Sequence, residues 1–480
     1  MKMPVSAKSF FFCFLFGIIF SFPAIAQNDR TIQLMQSIPQ SNYTNPALVP
    51  MGKWYFGFPA LSSLYVGYGN TAFNYHNVVH SRSQDDSLML DPQKVLNRMH
   101  KRNYIGVDVN EEILAFGFKA KKPKMFFTFS LSEKASVRFC MPKDLFSLLW
   151  QGNAQFLDDN KKADFKWFGL NAIHYHELSL GASKVINDKL TLGIHAKLLI
   201  GLGNVRFKKS DISLYTNPSE DLAYDLTGDA NVDVYSSIPG LTIYKNDTGY
   251  NRFDSVKVDF DAQKYITNFK NKGFAFDLGA TYKLNDKISF AASVIDLGWI
   301  NWKTNPQNFM DKSGAVTFDG IDFVQFLWQS DSVRKKLAQD MGDSLTKHFD
   351  LTPSEESYWA PLNTKVLLTG MYNLTEKDKI GVLVRGDFFN RTVHTSVTLS
   401  YNRKFYNWLY LTGSYSYYNR SFTNIGLGLA VLGGPFEFYV VSDNVLGDIW
   451  IENFQNIPIH FGINFIFGYK TPKDNKAIIN

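Results

Sequence analysis

The stretch MFFTFSLSEKASVRF, Met125 to Phe139, decides the fold. Met125, Phe127, Phe129, Leu131, Ala135, Val137 and Phe139 alternate with Lys124, Thr128, Ser130, Ser132, Lys134, Ser136 and Arg138, and only Phe126 and Glu133 break step. A period of two puts alternate side chains on opposite faces of a strand. One face is therefore apolar and the other small and polar. The same alternation returns in Leu190–Ile200, Phe274–Tyr282 and Ile459–Phe467. In a soluble sandwich the second face meets water and is usually charged. Small neutral residues with single charges suit instead the lumen of a closed barrel whose apolar set faces lipid. The chain is expected to be all-β, a transmembrane antiparallel up-and-down β-barrel.

Working outward, strands are read at 54–68, 112–120, 124–139, 173–186, 189–201, 273–284, 287–298, 363–374, 379–389, 392–403, 407–418, 421–432, 434–443 and 457–468. That is about 14, an even number, as single-chain bacterial barrels have. The tight turns, such as Asn187-Asp188, Asn285-Asp286 and Gly433-Gly434, all fall at one end. The long connections 70–111, 140–172, 202–272 and 299–362 fall at the other, followed there by shorter ones at 390–391, 419–420 and 444–456. This asymmetry predicts periplasmic turns, both termini in the periplasm and long outer loops. Two loops carry helix-like apolar runs, Leu145–Trp150 and Ile321–Trp328, read as short helices that lid or plug the barrel over a greasy ligand. Trp54, Tyr68, Tyr282, Trp299, Trp302, Trp408, Tyr410, Tyr417, Tyr418 and Tyr469 are expected to form interfacial girdles.

Composition agrees. In 480 residues, 42 Phe, 24 Tyr and 9 Trp make 16% aromatic content, which excludes a disordered chain. No mature stretch approaches the roughly 20 apolar residues of a membrane-spanning helix. The net charge of +6 is spread without a basic block, so no nucleic-acid partner is expected. Lys2 and Lys8, the apolar run to Phe22 and Ala24-Ile25-Ala26 read as a signal peptide over 1–26, cleaved before Gln27. Cleavage removes Cys13 and leaves Cys140 alone, so no internal disulfide forms. Residues 27–53 form an N-terminal hatch or turn segment, 54–469 the barrel and 470–480 a polar C-terminal tail. The expected location is the cell outer membrane.

Asn45-Pro46-Ala47 follows closely on the export signal, and Asp296–Ile300, Ser442–Leu446 and Phe461–Phe465 end or form strands. In these elements the chain resembles long-chain fatty-acid transporter (FadL-type) barrels and barrels linked to type IX secretion and gliding. More specifically, it resembles an uncharacterised Bacteroidota family of such barrels. The resemblance implies an N-terminal segment entering the barrel from the periplasm. It also implies a role in moving or binding a small hydrophobic molecule, or, as the alternative, a non-transporting envelope protein that binds other proteins.

Lys134, Arg138, His195, Lys197, Asp277, Arg385, Asp387, His394, Glu437 and His460 fall on lumen-facing positions. Isolated buried charges desolvate badly, so these read first as a structural ion-pair network and second as ligand contacts. His174 and His176 share a strand face while Glu177 points away, which leaves no third zinc ligand. No spacing selects a nucleophile with an adjacent base, and no Gly-rich phosphate loop opens a helix. The reading is therefore not an enzyme, with no catalytic residue, metal or cofactor. The expected partners are outer-membrane lipid, a small hydrophobic ligand and envelope proteins.

Overall fold

The computed structural model describes residues 30–72, 79–81, 88–121, 124–157, 161–218, 224–245, 253–311, 315–318, 351–389, 392–418, 421–449 and 456–469. The expected signal peptide, the polar tail and the apolar run at 321–328 lie outside these residues.

Fourteen antiparallel strands close into one barrel. They are β1 in two pieces (Trp54–Gly57 and Leu64–Asn70), β2 (Arg102–Ala120), β3 (Met125–Pro142), β4 (Gly169–Val185), β5 (Leu190–Pro218), β6 (Asn271–Lys283) and β7 (Ile288–Trp302). There follow β8 in two pieces (Tyr358–Pro361 and Lys365–Asn373), β9 (Asp378–Phe389), β10 (Thr392–Lys404), β11 (Leu409–Tyr418), β12 (Ser421–Gly433), β13 (Phe436–Ser442) and β14 (Asn456–Phe467). Each pairs with its sequence neighbour, and β14 returns to β1 through Trp54↔Phe467 and Leu64↔Phe461. Closure removes the sheet edge, the condition for a sheet to sit in hydrocarbon. All fourteen strands fall where the alternation put them. Leu180, Leu198, Phe274 and Leu278 are exposed on the outside, while Glu177, Lys197, Ala275 and Asp277 are buried within.

Three expectations change. The strand expected at 54–68 is interrupted: Pro59 and Ala60 (φ 59°) turn the chain and Ser62 dips into the lumen. A Cβ on Gly57 would stand 2.4 Å from the Ser62 Cβ, and one on Gly462 2.0 Å from the Ser62 carbonyl oxygen, so both positions need glycine. In the girdle, Trp302 and Tyr418 are buried and face inward. Tyr417 and Tyr418 are successive residues, so only one can meet lipid. A bulge at Asp296 (φ 59°) shifts the phase of β7, placing Trp299 outside and Trp302 inside.

The third change concerns the outer connections. β2, β3, β4 and β5 run 19, 18, 17 and 29 residues, against 12, 13, 10 and 13 for β9 to β12. About 9–11 residues cross a bilayer, so the long strands overshoot it. The far part of β5 pairs with Tyr224–Ser237, which also pairs with Asn308–Asp311 and Ala315–Phe318. Parts of the connections at 202–272 and 299–362 are thus an outer sheet. Along Tyr224–Ser237, Leu226, Ala230, Val232 and Val234 alternate with Thr227, Asp229, Asn231 and Asp233, and Ile212 and Leu214 of β5 pack on Phe156, Ala163 and Phe165. The helix expected near Leu145 forms, as Lys143–Gln151, but packs Leu145 and Leu148 on Phe156, Ala163 and Phe165 beyond the wall.

Candidate functional site

The chain fills its own lumen. α1 (Arg30–Leu34), a 3-10 turn (Pro39–Tyr43) and Asn45-Pro46-Ala47 are almost wholly buried inside the barrel. Such a segment has no ladder partner, so its buried polar groups need side-chain partners from the wall. Asp443 accepts from the amides of Arg30 and Thr31, at 3.1 and 2.8 Å. Ser183 Oγ donates to the Pro46 carbonyl at 2.6 Å and Ser293 Oγ to that of Thr44 at 2.7 Å. Thr31 Oγ1 and Ser414 Oγ share a bond of 2.8 Å. This accounts for the small neutral face of the strands: serine and threonine leave room for the plug and supply its hydrogen bonds. Apolar contacts complete the fit, Ile32, Met35 and Ile38 against Ala430, Tyr439 and Val441, and Leu34 against Ile295, Leu367 and Leu383.

Asn45-Pro46-Ala47 is a turn seated on the wall. Asn45 Oδ1 accepts the Ala47 amide at 2.9 Å, and its Nδ2 donates to the Ala292 carbonyl at 3.3 Å. A Cβ on Gly193 would lie 2.2 Å from the Pro46 carbonyl carbon, and one on Gly279 2.1 Å from Asn45 Oδ1. The glycines of β5 and β6 are the seat.

Beside the plug stands a layer of paired charges. Lys197 Nζ lies 2.8 Å from Asp277, 2.6 Å from Asp296 and 3.6 Å from Glu177. Lys365 reaches Asp296 at 2.8 Å and Lys134 reaches Glu177 at 2.8 Å. His195 bridges wall and plug, with Nδ1 at 2.9 Å from Asp277 Oδ2 and Nε2 at 2.9 Å from Asn42 Oδ1. Lys134, His195, Lys197 and Asp277 are thus brought together. Asp296, Lys365 and Glu177 join them unforeseen. The bulge takes Asp296 out of the alternation of its strand, whereas Glu177, alternating with His176, follows that period and points inward.

A second acidic cluster lies across the bore. Glu112 accepts from Gln40 Nε2 at 3.3 Å and from the Tyr43 hydroxyl, and Glu437 Oε2 accepts from Asn464 Nδ2 at 3.0 Å. Gln40 and Asn464 join the two through a reciprocal amide pair at 2.9 Å. Burial, then the Glu112 carboxylate, holds the Tyr43 phenol well above its ordinary pKa, so it stays the donor. His460 joins this side through Ser63 Oγ at 2.7 Å and Tyr439 at 3.3 Å. Arg385 and Asp387 form a bidentate pair, with Nη2 at 2.8 Å, and Arg138 stands 3.7 Å from Asp108 and over the Phe389 ring. His394 sits apart near the outer end, against Thr392 at 3.1 Å and the edge of Tyr104.

On the outer wall, β3 supplies what sequence spacing did not. Glu133 lies 2.6 Å from His174 Nε2 and 3.6 Å from His176 Nδ1. Among the described residues no three His, Cys, Asp or Glu side chains stand as a metal-holding group.

Between plug and wall a cavity of about 80 Å³ is bordered by Ser130, Ser132, Lys134, Glu177 and Lys197. Ligand pockets run to about 300–1,000 Å³, so this one has room for a few waters. One layer further out the inward side chains turn apolar: Tyr175, Leu199, Ile300, Trp302, Tyr358 and Leu362 form a buried cluster.

Over residues 46–443 the sequence matches the family described as Family of unknown function (DUF5723). No curated protein matches it. Similar solved structures include the toluene transporter TbuX of Ralstonia pickettii, 8% identical with a TM-score of 0.40, over 93% of this chain and 100% of that one. The toluene transporter TodX of Pseudomonas putida is 10% identical with a TM-score of 0.35, over 88% and 91%. A FadL homologue of Pseudomonas aeruginosa is 9% identical with a TM-score of 0.37, over 90% and 94%.

Proposed function

The chain belongs to that family of unknown function, DUF5723, and on the geometry above we propose that it is a gated outer-membrane channel for a small hydrophobic molecule. The observation that carries this reading is the plug. A segment filling the bore through side-chain bonds, without strand pairing, can leave without opening the wall. The apolar layer around Trp302 and Tyr358 faces the outer side and suits a greasy solute. Beneath it the plug fills the bore, so passage requires the plug to shift.

The test is a reversible lock. Thr31→Cys with Ser414→Cys replaces two hydroxyls 2.8 Å apart, one on the plug and one on β11. In liposomes holding the purified barrel, entry of the hydrophobic dye N-phenyl-1-naphthylamine should cease on oxidation and return on reduction. Dye entry indifferent to the lock, or no faster than in empty liposomes, would overturn the reading.

One observation favours the second reading, a protein-binding envelope component. The outer sheet built on β5 projects past the wall, and recognition elements are often carried in this way on a rigid scaffold. Deleting 208–233 should then abolish co-purification of a partner and leave dye entry intact.

A further inference from the structure

We propose that the periplasmic rim of the barrel is a binding ring for anionic phospholipid headgroups of the inner leaflet. The sequence has no basic block, but the topology makes one. The β2–β3, β4–β5, β6–β7, β8–β9 and β10–β11 turns all lie at the same end, and positions far apart in sequence meet there around one perimeter. Among the described residues at 53, 119–124, 184–190, 283–288, 374–379 and 403–409 stand twelve Lys and Arg against four Asp and Glu. That excess of eight is larger than the excess of six carried by the whole chain, so the rest of the molecule is slightly acidic.

Two of the four acids are engaged on the rim itself, Asp286 with Lys283 at 3.1 Å and Asp378 with Arg403 at 3.2 Å. The surplus is on the surface. Lys121 and Lys124 of the first turn, Lys189 of the second, Lys287 of the third and Lys377 of the fourth are all exposed.

Two features select lipid over a protein partner. The charges recur on five successive turns around the perimeter, which fits a surrounding annulus better than a one-sided contact. The rim also lies where the lipid-facing columns end. Trp54, Leu284, Leu374 and Trp408 are 45–48% exposed beside these lysines, which marks the boundary of hydrocarbon and headgroup. Long lysine side chains can lie along that boundary with their ammonium groups among headgroup phosphates. Attraction of clustered lysines to an anionic surface is additive and falls off within a Debye length.

The experiment reads lipid preference at the protein surface. The full barrel is reconstituted in phosphatidylcholine with phosphatidylglycerol, either lipid carrying brominated chains, and quenching of tryptophan fluorescence compares their occupancy. The parent should prefer phosphatidylglycerol several-fold at low salt and lose the preference at about 0.5 M NaCl, where screening is short-ranged. Lys121→Ser, Lys124→Ser, Lys189→Ser, Lys287→Ser and Lys377→Ser combined should bring the ratio to parity, while arginine at the same five positions should keep it. Heat-modifiable migration checks that both variants are folded. A parent without preference, or a serine variant that keeps it, would overturn the proposal. So would rim-dependent capture of an acidic protein by a barrel that shows no lipid preference.

Discussion

The two acidic clusters of the lumen are built from the same chemistry and held in opposite ways. Asp277, Asp296 and Glu177 are neutralised by Lys197, Lys365 and Lys134, all of them wall residues. Glu112 and Glu437 are held by the neutral donors Gln40, Tyr43 and Asn464, and two of those three belong to the plug. The first cluster is complete before the plug arrives. The second is complete only with the plug in place. In these two clusters, ion pairs tie the wall to itself and hydrogen bonds tie the plug to the wall; elsewhere the plug adds one ion pair, Arg30 with Asp443 at 4.0 Å.

The largest effect should come from breaking the self-sufficient side. Lys197 is 4% exposed and lies within 3 Å of both Asp277 and Asp296. Lys197→Met leaves those carboxylates facing one another, with Lys365 and His195 as the remaining partners. Removing one member of a buried ion pair costs about 3–5 kcal/mol. Urea unfolding of the purified barrel, followed by tryptophan fluorescence, should show a fall of that size. A loss below about 1 kcal/mol would mean that the layer is solvated and not structural.

A smaller effect should follow from unseating the plug while leaving the ion layer alone. Gly279→Ala puts a Cβ 2.1 Å from Asn45 Oδ1 and 2.8 Å from Pro46 Cδ. Overpacking of this kind costs about 1–3 kcal/mol, and here a displaced turn can relieve it. Limited proteolysis should cut the plug faster in this variant while the barrel itself stays heat-modifiable. Gly413→Ala, where a Cβ would meet nothing within 4 Å, is the matched control and should behave as the parent. Equal protection in Gly279→Ala would show that Asn45-Pro46-Ala47 is a turn with no seat.

What could be read beforehand divides along the same line. The lipid face was legible because period two is local: Met125 to Phe139 states its own two faces with no knowledge of any neighbour. The ten lumen positions, seven charged residues and three histidines, were legible as inward for the same reason. Their pairing was not, since Lys197 finds Asp296 only after β5, β6 and β7 are laid side by side and a bulge has shifted the phase of β7. Glu112 escaped notice because its partners Gln40 and Tyr43 lie in a segment with no periodicity. Asn45-Pro46-Ala47 was visible as a motif, but its seat on Gly193 and Gly279 exists only in the closed ring. The basic rim follows the same rule, being scattered in sequence and contiguous in space.

The smallest effect, and the sharpest use of the comparison, is Glu437→Gln set beside Asp277→Asn. Both replace a fully buried carboxylate with its amide isostere. Asp277 accepts from Lys197, His195 and the Asp296 amide, so its amide form loses a charge partner and turns a donor toward Lys197 or His195. That exchange should cost several kcal/mol, within the range for a broken buried pair of about 3–5. Glu437 has one donor on Oε2, and among the described residues Oε1 has none. Its amide form can keep the Asn464 bond through oxygen and set nitrogen where Oε1 now stands unmatched. It forfeits no cation, because the neighbouring donors are neutral. A buried carboxyl supported by one neutral bond and no cation contributes little, so Glu437→Gln should change stability by no more than about 1 kcal/mol in either direction. The measurement is the difference between the two urea midpoints taken under one set of conditions. If the two isosteres cost the same, the contrast between a charge-paired wall and a hydrogen-bonded plug does not describe this lumen.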